Sequence, residues 1–299
     1  MPTSMLDLGE RRCAYVERPD RRAVLHKMAA AALATWLAAP ASAPTLAQGA
    51  TRKLALVIGN GAYRKGALKN PVADAQAVAG SLRALGFEVS LRTDASLAEM
   101  LEAMRQFAVQ AADAAVRLLF FAGHGLQHRG RNYLLPVDAD IKVEDDVASR
   151  SADVGELIDR LGRVQHGLNI VILDACRNNP FSGAEILTAD GRRIRFRGVS
   201  PPGLAAIDAP AGTMVAFSTA PGGVALDNPQ EAHSLYTKHF IAHVQTPGLP
   251  VELLFKQVRV GVARDTQRLQ VPWESSSLTG EFCFKQDTRG TCSVTRLAP

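Results

Sequence analysis

Two side chains in this chain could form a nucleophile and its base. Cys176 follows the apolar run Ile170 to Leu173 in the stretch L-N-I-V-I-L-D-A-C-R-N-N-P-F, residues 168 to 181. His124 sits between two glycines at the end of R-L-L-F-F-A-G-H-G, residues 117 to 125. Each apolar run reads as a strand buried on both faces. The later run stops at Asp174, and Asn178, Asn179 and Pro180 break regular structure beyond it. Reactive groups at the carboxyl ends of buried strands stand where α/β sheets carry their chemistry. A thiol nucleophile needs a base to make the thiolate and donors to hold an oxyanion. Gly125 permits close backbone approach, so its N–H and that of Cys176 are the candidate oxyanion donors. A lone buried cysteine or histidine is more often a packing residue. Among the other histidines only His128, on the same loop, competes with His124. No third residue to orient His124 is evident.

The elements that would position these groups alternate. Leu54 to Ile58 is a strand, and Val72 to Leu85 has helical spacing and stops at Gly86. Phe87 to Leu91 is a strand, and Ser96 with Glu99 makes a capping box for a helix through about Ala111. Val116 to Ala122 is the strand before His124, Asn132 to Val137 is extended, and Ser151 to Val164 is a helix before the Cys176 strand. This order predicts a mostly parallel sheet with helices on both faces. Residues 182 to 212 carry R-R-I-R-F-R, glycines and prolines without clear elements, which marks a functional or disordered loop. Thr213 to Ser218 resumes the sheet, Leu235 to Val244 and Val251 to Thr266 are helices, and Glu281 to Phe284 is the expected last strand. Gly59 and Gly61 do not make a dinucleotide fingerprint, because the third glycine is missing and the helix starts too late.

The chain resembles the caspase-like cysteine peptidases (family C14), in their bacterial branch near metacaspases. The pieces are A-L-V-I-G-N at 55 to 60, F-A-G-H-G at 121 to 125, N-Y-L-L-P-V-D at 132 to 138 and D-A-C-R-N-N-P-F at 174 to 181. A-F-S-T-A-P-G at 216 to 222 and V-P-W-E-S-S-S-L at 271 to 278 follow in order. His124 and Cys176 lie 52 residues apart, close to the caspase separation. The resemblance implies an α/β/α sandwich with a mostly parallel sheet of about six strands. It also implies a Cys–His dyad, His124 and Cys176, that hydrolyses peptide bonds. Residues 53 to 181 would be large-subunit-like, 182 to 212 the joining loop and 213 to 285 small-subunit-like, within one domain from 48 to 285, leaving a tail from 286 to 299.

Specificity follows from charge. Caspases that cut after aspartate place an arginine before the first helix and a glutamine two residues before the cysteine; the matching positions here are Leu68 and Asp174. Metacaspases cut after Arg or Lys and carry acids in the pocket, which match Asp74 and Asp174. Two carboxylates in a cleft favour a cationic side chain at P1, the residue before the scissile bond. The plainer roles are helix capping for Asp74 and strand termination for Asp174. Asp138, Asp140, Asp145 and Asp146 resemble part of the metacaspase calcium site, and hard oxygen ligands suit that ion. The further acid after the cysteine loop is missing, and an ordinary solvated acidic loop accounts for these residues equally well. No cofactor is required for the dyad.

Bulk properties set the frame. A chain of 299 residues that is 47% hydrophobic can bury one sizeable core. Only 6% is aromatic, and removing residues 1 to 47, with six Lys/Arg against four Asp/Glu, leaves a net charge of +3. Neither property argues for nucleic acid. Arg21, Arg22 and Lys27 precede an apolar stretch from Met28 to Ala39 and small residues through Ala47, the order of a signal peptide. Twelve apolar residues are too few to span a bilayer, so no stable span is expected after signal removal. R-R-A-V-L weakly resembles a twin-arginine signal. The expected location is periplasmic or extracellular, with cleavage after Ala47. Cys13 falls in this leader, and Cys283 and Cys292 could pair after export or sit as core thiols, which leaves Cys176 alone. The reading is an exported endopeptidase acting on proteins or peptides with a basic P1 residue. The alternatives are a catalytically silent binding or signalling module of the same fold, and a thiol transferase on the same dyad.

Overall fold

The computed structural model describes residues 52–164, 166–176, 185–187, 193–195, 204–221, 225, 230–288 and 292. The leader reading and Cys13 lie outside them.

Six strands make the main path of the sheet: β1 (Lys53–Gly59), β2 (Phe87–Thr93), β3 (Val116–His128), β6 (Leu168–Cys176), β9 (Thr213–Phe217) and β10 (Trp273–Ser276). Two short strands, β4 (Arg131–Leu134) and β5 (Ala152–Asp153), extend β3 by antiparallel pairing. The strand order is β10-β9-β6-β3-β1-β2, parallel throughout except for β10. A separate antiparallel pair, β7 (Glu185–Leu187) with β8 (Arg193–Arg195), lies in the stretch expected to lack elements.

The helices are α1 (Pro71–Ala84), α2 (Leu97–Gln110), α3 (Asp146–Arg150), α4 (Val154–Gly162), α5 (Leu235–His243) and α6 (Val251–Asp265). Alternation along the strands sorts the core into two faces. Leu118, Phe120, Ile170, Ile172 and Ala216 pack with α1, α5 and α6. Leu119, Phe121, Val171, Leu173 and Val215 pack with α2 and α4. This is the expected α/β/α sandwich, its mostly parallel sheet having six strands on the main path. The capping box at α2 is present, with Ser96 Oγ accepting from the Glu99 N–H and the Glu99 carboxylate accepting from the Ser96 N–H.

Four expected boundaries are corrected. Strand β6 does not stop at Asp174 but continues to Cys176, and β3 runs through His124 to His128, because each strand has a partner over that length. The helix expected from Ser151 begins at Val154, where the Asp153 carboxylate caps it through the Gly155 N–H. The last strand is Trp273–Ser276, not Glu281–Phe284. Residues 282 to 285 pack instead against the start of α6: Phe282 accepts from the Val251 N–H, and Phe282 and Phe284 enter the α1/α5/α6 core. Cys283 is disulfide-bonded to Cys292, so the pairing alternative is the one observed. Among the described residues, no helix is long and apolar enough to cross a membrane.

Candidate active site

The carboxyl end of β1 is tied to β3 and to the loops after β2 and β4 by Asn60, which is fully buried. Its backbone N–H donates to the Ala122 carbonyl, its Oδ1 accepts from the Ala95 N–H, and its Nδ2 donates to the Leu135 carbonyl. One amide thus joins three loops at one end of the sheet. Asn132 similarly exchanges two side-chain bonds with the backbone of Ala205.

His124 and Cys176 are register partners across the parallel β3–β6 pair. The imidazole is 5% exposed, and its Nε2 lies 2.6 Å from the carbonyl oxygen of Gly66. A carbonyl only accepts, so Nε2 carries the proton and Nδ1 is the basic nitrogen of the neutral ring. The backbone N–H of His124 donates to the Tyr63 hydroxyl at 2.9 Å, and that hydroxyl donates to the Leu135 carbonyl at 3.1 Å. The Tyr63 and His124 rings are tilted against each other, with centroids 4.5 Å apart. Tyr63 and Gly66 both lie in the loop after β1, so this loop orients the ring.

The glycines flanking His124 have separate physical reasons. Gly123 has φ +153°, and a Cβ there would stand 2.6 Å from the Tyr63 hydroxyl. At Gly125 a Cβ would meet Leu204 and Ala175 at 3.1 and 3.2 Å. The His124 carbonyl accepts from the Leu135 N–H, which makes Gly125–Leu134 a non-hydrogen-bonded pair of the β3–β4 ladder. The Gly125 N–H is therefore not taken up by β4. His128, the competing histidine, is held elsewhere, 3.2 Å from Glu144 and against Tyr133.

The chain belongs to the caspase-domain peptidase family. The family's sequence model, the caspase domain of peptidase C14, matches residues 52–283. The human mucosa-associated lymphoid tissue lymphoma translocation protein 1 is similar, at 33% identity over 126 residues, 42% of this chain. Its mouse homologue is 32% identical over the same length. In both cases the chain spans about 15% of the length of the curated relative it matches.

Within this caspase domain the two pocket candidates come together through one serine. Asp74, on the first turn of α1, is 1% exposed, and Asp174, on β6, is 8% exposed. The N–H of Ser234, the N-cap of α5, donates to both Asp74 carboxylate oxygens at 3.2 and 3.3 Å. Ser234 Oγ donates to Asp174 Oδ2 at 2.5 Å, and Thr237 Oγ1 donates to the same oxygen at 2.9 Å. His233 Nδ1 lies 2.9 Å from Asp74 Oδ1. Asp74 thus stands in the first turn of its own helix and also meets the N-terminus of α5, both favourable places for negative charge. Sequence reasoning missed Tyr63, Gly66, His233, Ser234 and Thr237. Ser234 had one usable signal, since a serine before an expected helix is a cap candidate.

The four acids of the calcium reading do not converge. Asp138 Oδ1 accepts from the Leu97 N–H at the start of α2, and Asp140 pairs with Lys142. Asp145 pairs with Arg129, and Asp146 accepts from the N–H groups of Lys142 and Val143. Among the described residues, no group of three or more His, Cys, Asp or Glu side chains could hold a metal ion.

Proposed function

We propose that this caspase-like peptidase is an endopeptidase using Cys176 as nucleophile and His124 as base, with cleavage after Arg or Lys. The observation that carries it is the register of His124 with Cys176 on adjacent strands, at the sheet end gathered by Asn60. With Nε2–H held by the Gly66 carbonyl, Nδ1 takes the Cys176 proton. The thiolate adds to the substrate carbonyl, and the Gly125 and Cys176 N–H groups receive the oxyanion. The imidazolium returns its proton to the leaving amine, forming a thioester. Water, deprotonated by the same nitrogen, then releases the acid and the thiol.

The basic P1 preference rests on Asp74 and Asp174, two carboxylates joined through Ser234, with Asp174 two positions before Cys176 in the chain. Charge-assisted bonds to a guanidinium or ammonium are the strong kind. The Cys283–Cys292 disulfide supports an oxidising compartment, in keeping with the leader reading. Amino-terminal sequencing of protein from its host should find the mature chain starting near Gln48; mostly intact leader would defeat that placement.

The test is turnover of fluorogenic peptides over a P1 panel. Wild type should cleave after Arg and Lys and not after Asp, and Cys176→Ala and His124→Ala should be inactive. Asp74→Asn should lower kcat/KM for Arg substrates by roughly tenfold or more. No turnover of any peptide would favour the silent-module alternative, and acyl transfer to an added amine would favour the transferase.

A further inference from the structure

The loop that orients His124 is itself held from outside by Asp94, the residue that follows β2. Asp94 Oδ1 accepts two consecutive backbone donors of that loop, the N–H groups of Gly61 and Ala62, both at 2.8 Å. The Asp94 N–H donates to the carbonyl of Gly59, the last residue of β1, at 2.9 Å. The Gly61 carbonyl in turn accepts from the N–H groups of Tyr63 and Leu68, which closes the loop around Gly66. So the carboxylate holds the start of a loop whose later members supply two His124 contacts, the Tyr63 hydroxyl and the Gly66 carbonyl. Asp94 has φ +49°, a left-handed conformation that Gly, Asn and Asp adopt most readily. Asp94 is exposed, whereas His124 is buried.

We infer that Asp94 is a positioning residue for the base: by seating the loop from Asn60 to Leu68 it sets where the Gly66 carbonyl meets the His124 imidazole. This rests on the dyad reading above. A base must lie within hydrogen-bond reach of the proton that it takes. The Gly66 bond keeps a proton on Nε2 and so leaves Nδ1 basic. Without the Asp94 acceptor, the Gly61 and Ala62 N–H groups turn to water, and the loop drifts while the sheet, packed on both faces, stays intact. The imidazole then loses its fixed tautomer and aim. What the loop needs from residue 94 is one acceptor atom and a left-handed turn, and an asparagine supplies both.

The test is the rate at which iodoacetamide alkylates Cys176 in the full-length protein from pH 5 to 9, read by mass spectrometry of the Cys176 peptide. An unassisted thiol has a pKa of about 8.5, and a well-placed imidazole carries its reaction to lower pH. At pH 6 wild type should react roughly tenfold or more faster than His124→Ala. Asp94→Gly adopts the same φ without strain but has no acceptor. Its rate at pH 6 should fall by roughly tenfold, toward that of His124→Ala, as a misaimed base requires. Asp94→Asn keeps Oδ1 and the turn and should stay within about twofold of wild type. Melting curves of the same samples report the fold separately, since a merely structural role would lower Tm and leave the pH profile of alkylation unmoved. An Asp94→Gly profile matching wild type overturns the inference, and so does Asp94→Asn falling as far as Asp94→Gly. His124→Ala reacting like wild type would instead remove the dyad reading, a different failure.

Discussion

His124 is oriented by Gly66: its Nε2 stands 2.6 Å from the Gly66 carbonyl, on the loop that leaves β1. The same loop supplies Tyr63, which receives the His124 backbone N–H and packs on its ring. In the proposed dyad a backbone carbonyl would do what a carboxylate does in a Ser-His-Asp triad. It adds no negative charge beside the imidazole.

Tyr63→Phe should therefore impair catalysis while leaving the pocket intact. It strips the buried His124 N–H of its acceptor, at a cost of about 1–3 kcal/mol in stability. We expect kcat to fall by roughly tenfold with KM little changed, because the ring remains but its base is less firmly held. Steady-state kinetics beside urea unfolding will check this. A loss confined to KM would contradict the role given to Tyr63.

Gly123→Ala should be worse for stability than its size suggests. The added Cβ meets the Tyr63 hydroxyl at 2.6 Å and the Phe121 ring at 2.9 Å, at a φ of +153°. A loss of about 2 kcal/mol or more follows, or a Tm drop of about 4–8 °C. A melting curve matching wild type would count against this geometry.

The basic run offers cleavage sites at Arg192, Arg193, Arg195 and Arg197. Arg193 to Arg195 form β8, paired with β7, so this hairpin must open before a protease can thread it. Autocleavage in this run should be slower than cleavage of an unstructured peptide of the same sequence. Its products should copurify, since β6 and β9, on either side of the cut, are paired. Mass spectrometry of wild type beside Cys176→Ala will identify the cut, and identical fragments from both would assign it to another protease.

Tyr236 provides a pH prediction. It is fully buried, its hydroxyl has no hydrogen-bond partner among the described residues, and burial, helped by the Asp174 charge, pushes its pKa well above 10. A raised folded pKa means that its contribution is complete below the unfolded value, about 10, and is lost as pH rises beyond it. Tyr236→Phe should match or exceed wild type by about 1 kcal/mol at pH 7. Between pH 10 and 11 it should lose about 1 kcal/mol less than wild type. Urea unfolding at the three pH values will decide, and a strongly destabilised Phe variant would mean that the hydroxyl is satisfied.

The sheet was legible because buried strands announce themselves as unbroken apolar runs, as in Leu118 to Ala122 and Ile170 to Leu173. The α2 capping box was legible because it is a local pattern. The edge strand Trp273–Ser276 was not, since W-E-S-S has neither an apolar run nor clear alternation. F-C-F at 282 to 284 has both strand composition and burial, but its burial comes from α5 and α6 rather than from sheet neighbours. At the site, the residues of the proposed dyad and both proposed pocket acids could be singled out by residue type. The Gly66 carbonyl was not, because every residue carries one. Ser234 and His233 meet Asp74 across 159 or more positions of chain, a distance over which no periodicity speaks.

The Ser234 knot has a consequence for how this molecule can be divided. Its partners come from α1 and β6, which precede the basic run, while Ser234 itself follows that run. On the pocket reading proposed above, neither piece of a nicked chain would own a complete recognition site. The severed halves would behave as a split reporter: selectivity for a charged side chain would disappear on separation and return only on reunion. Dilution of nicked protein would then extinguish discrimination between substrates at the same concentration at which the halves part.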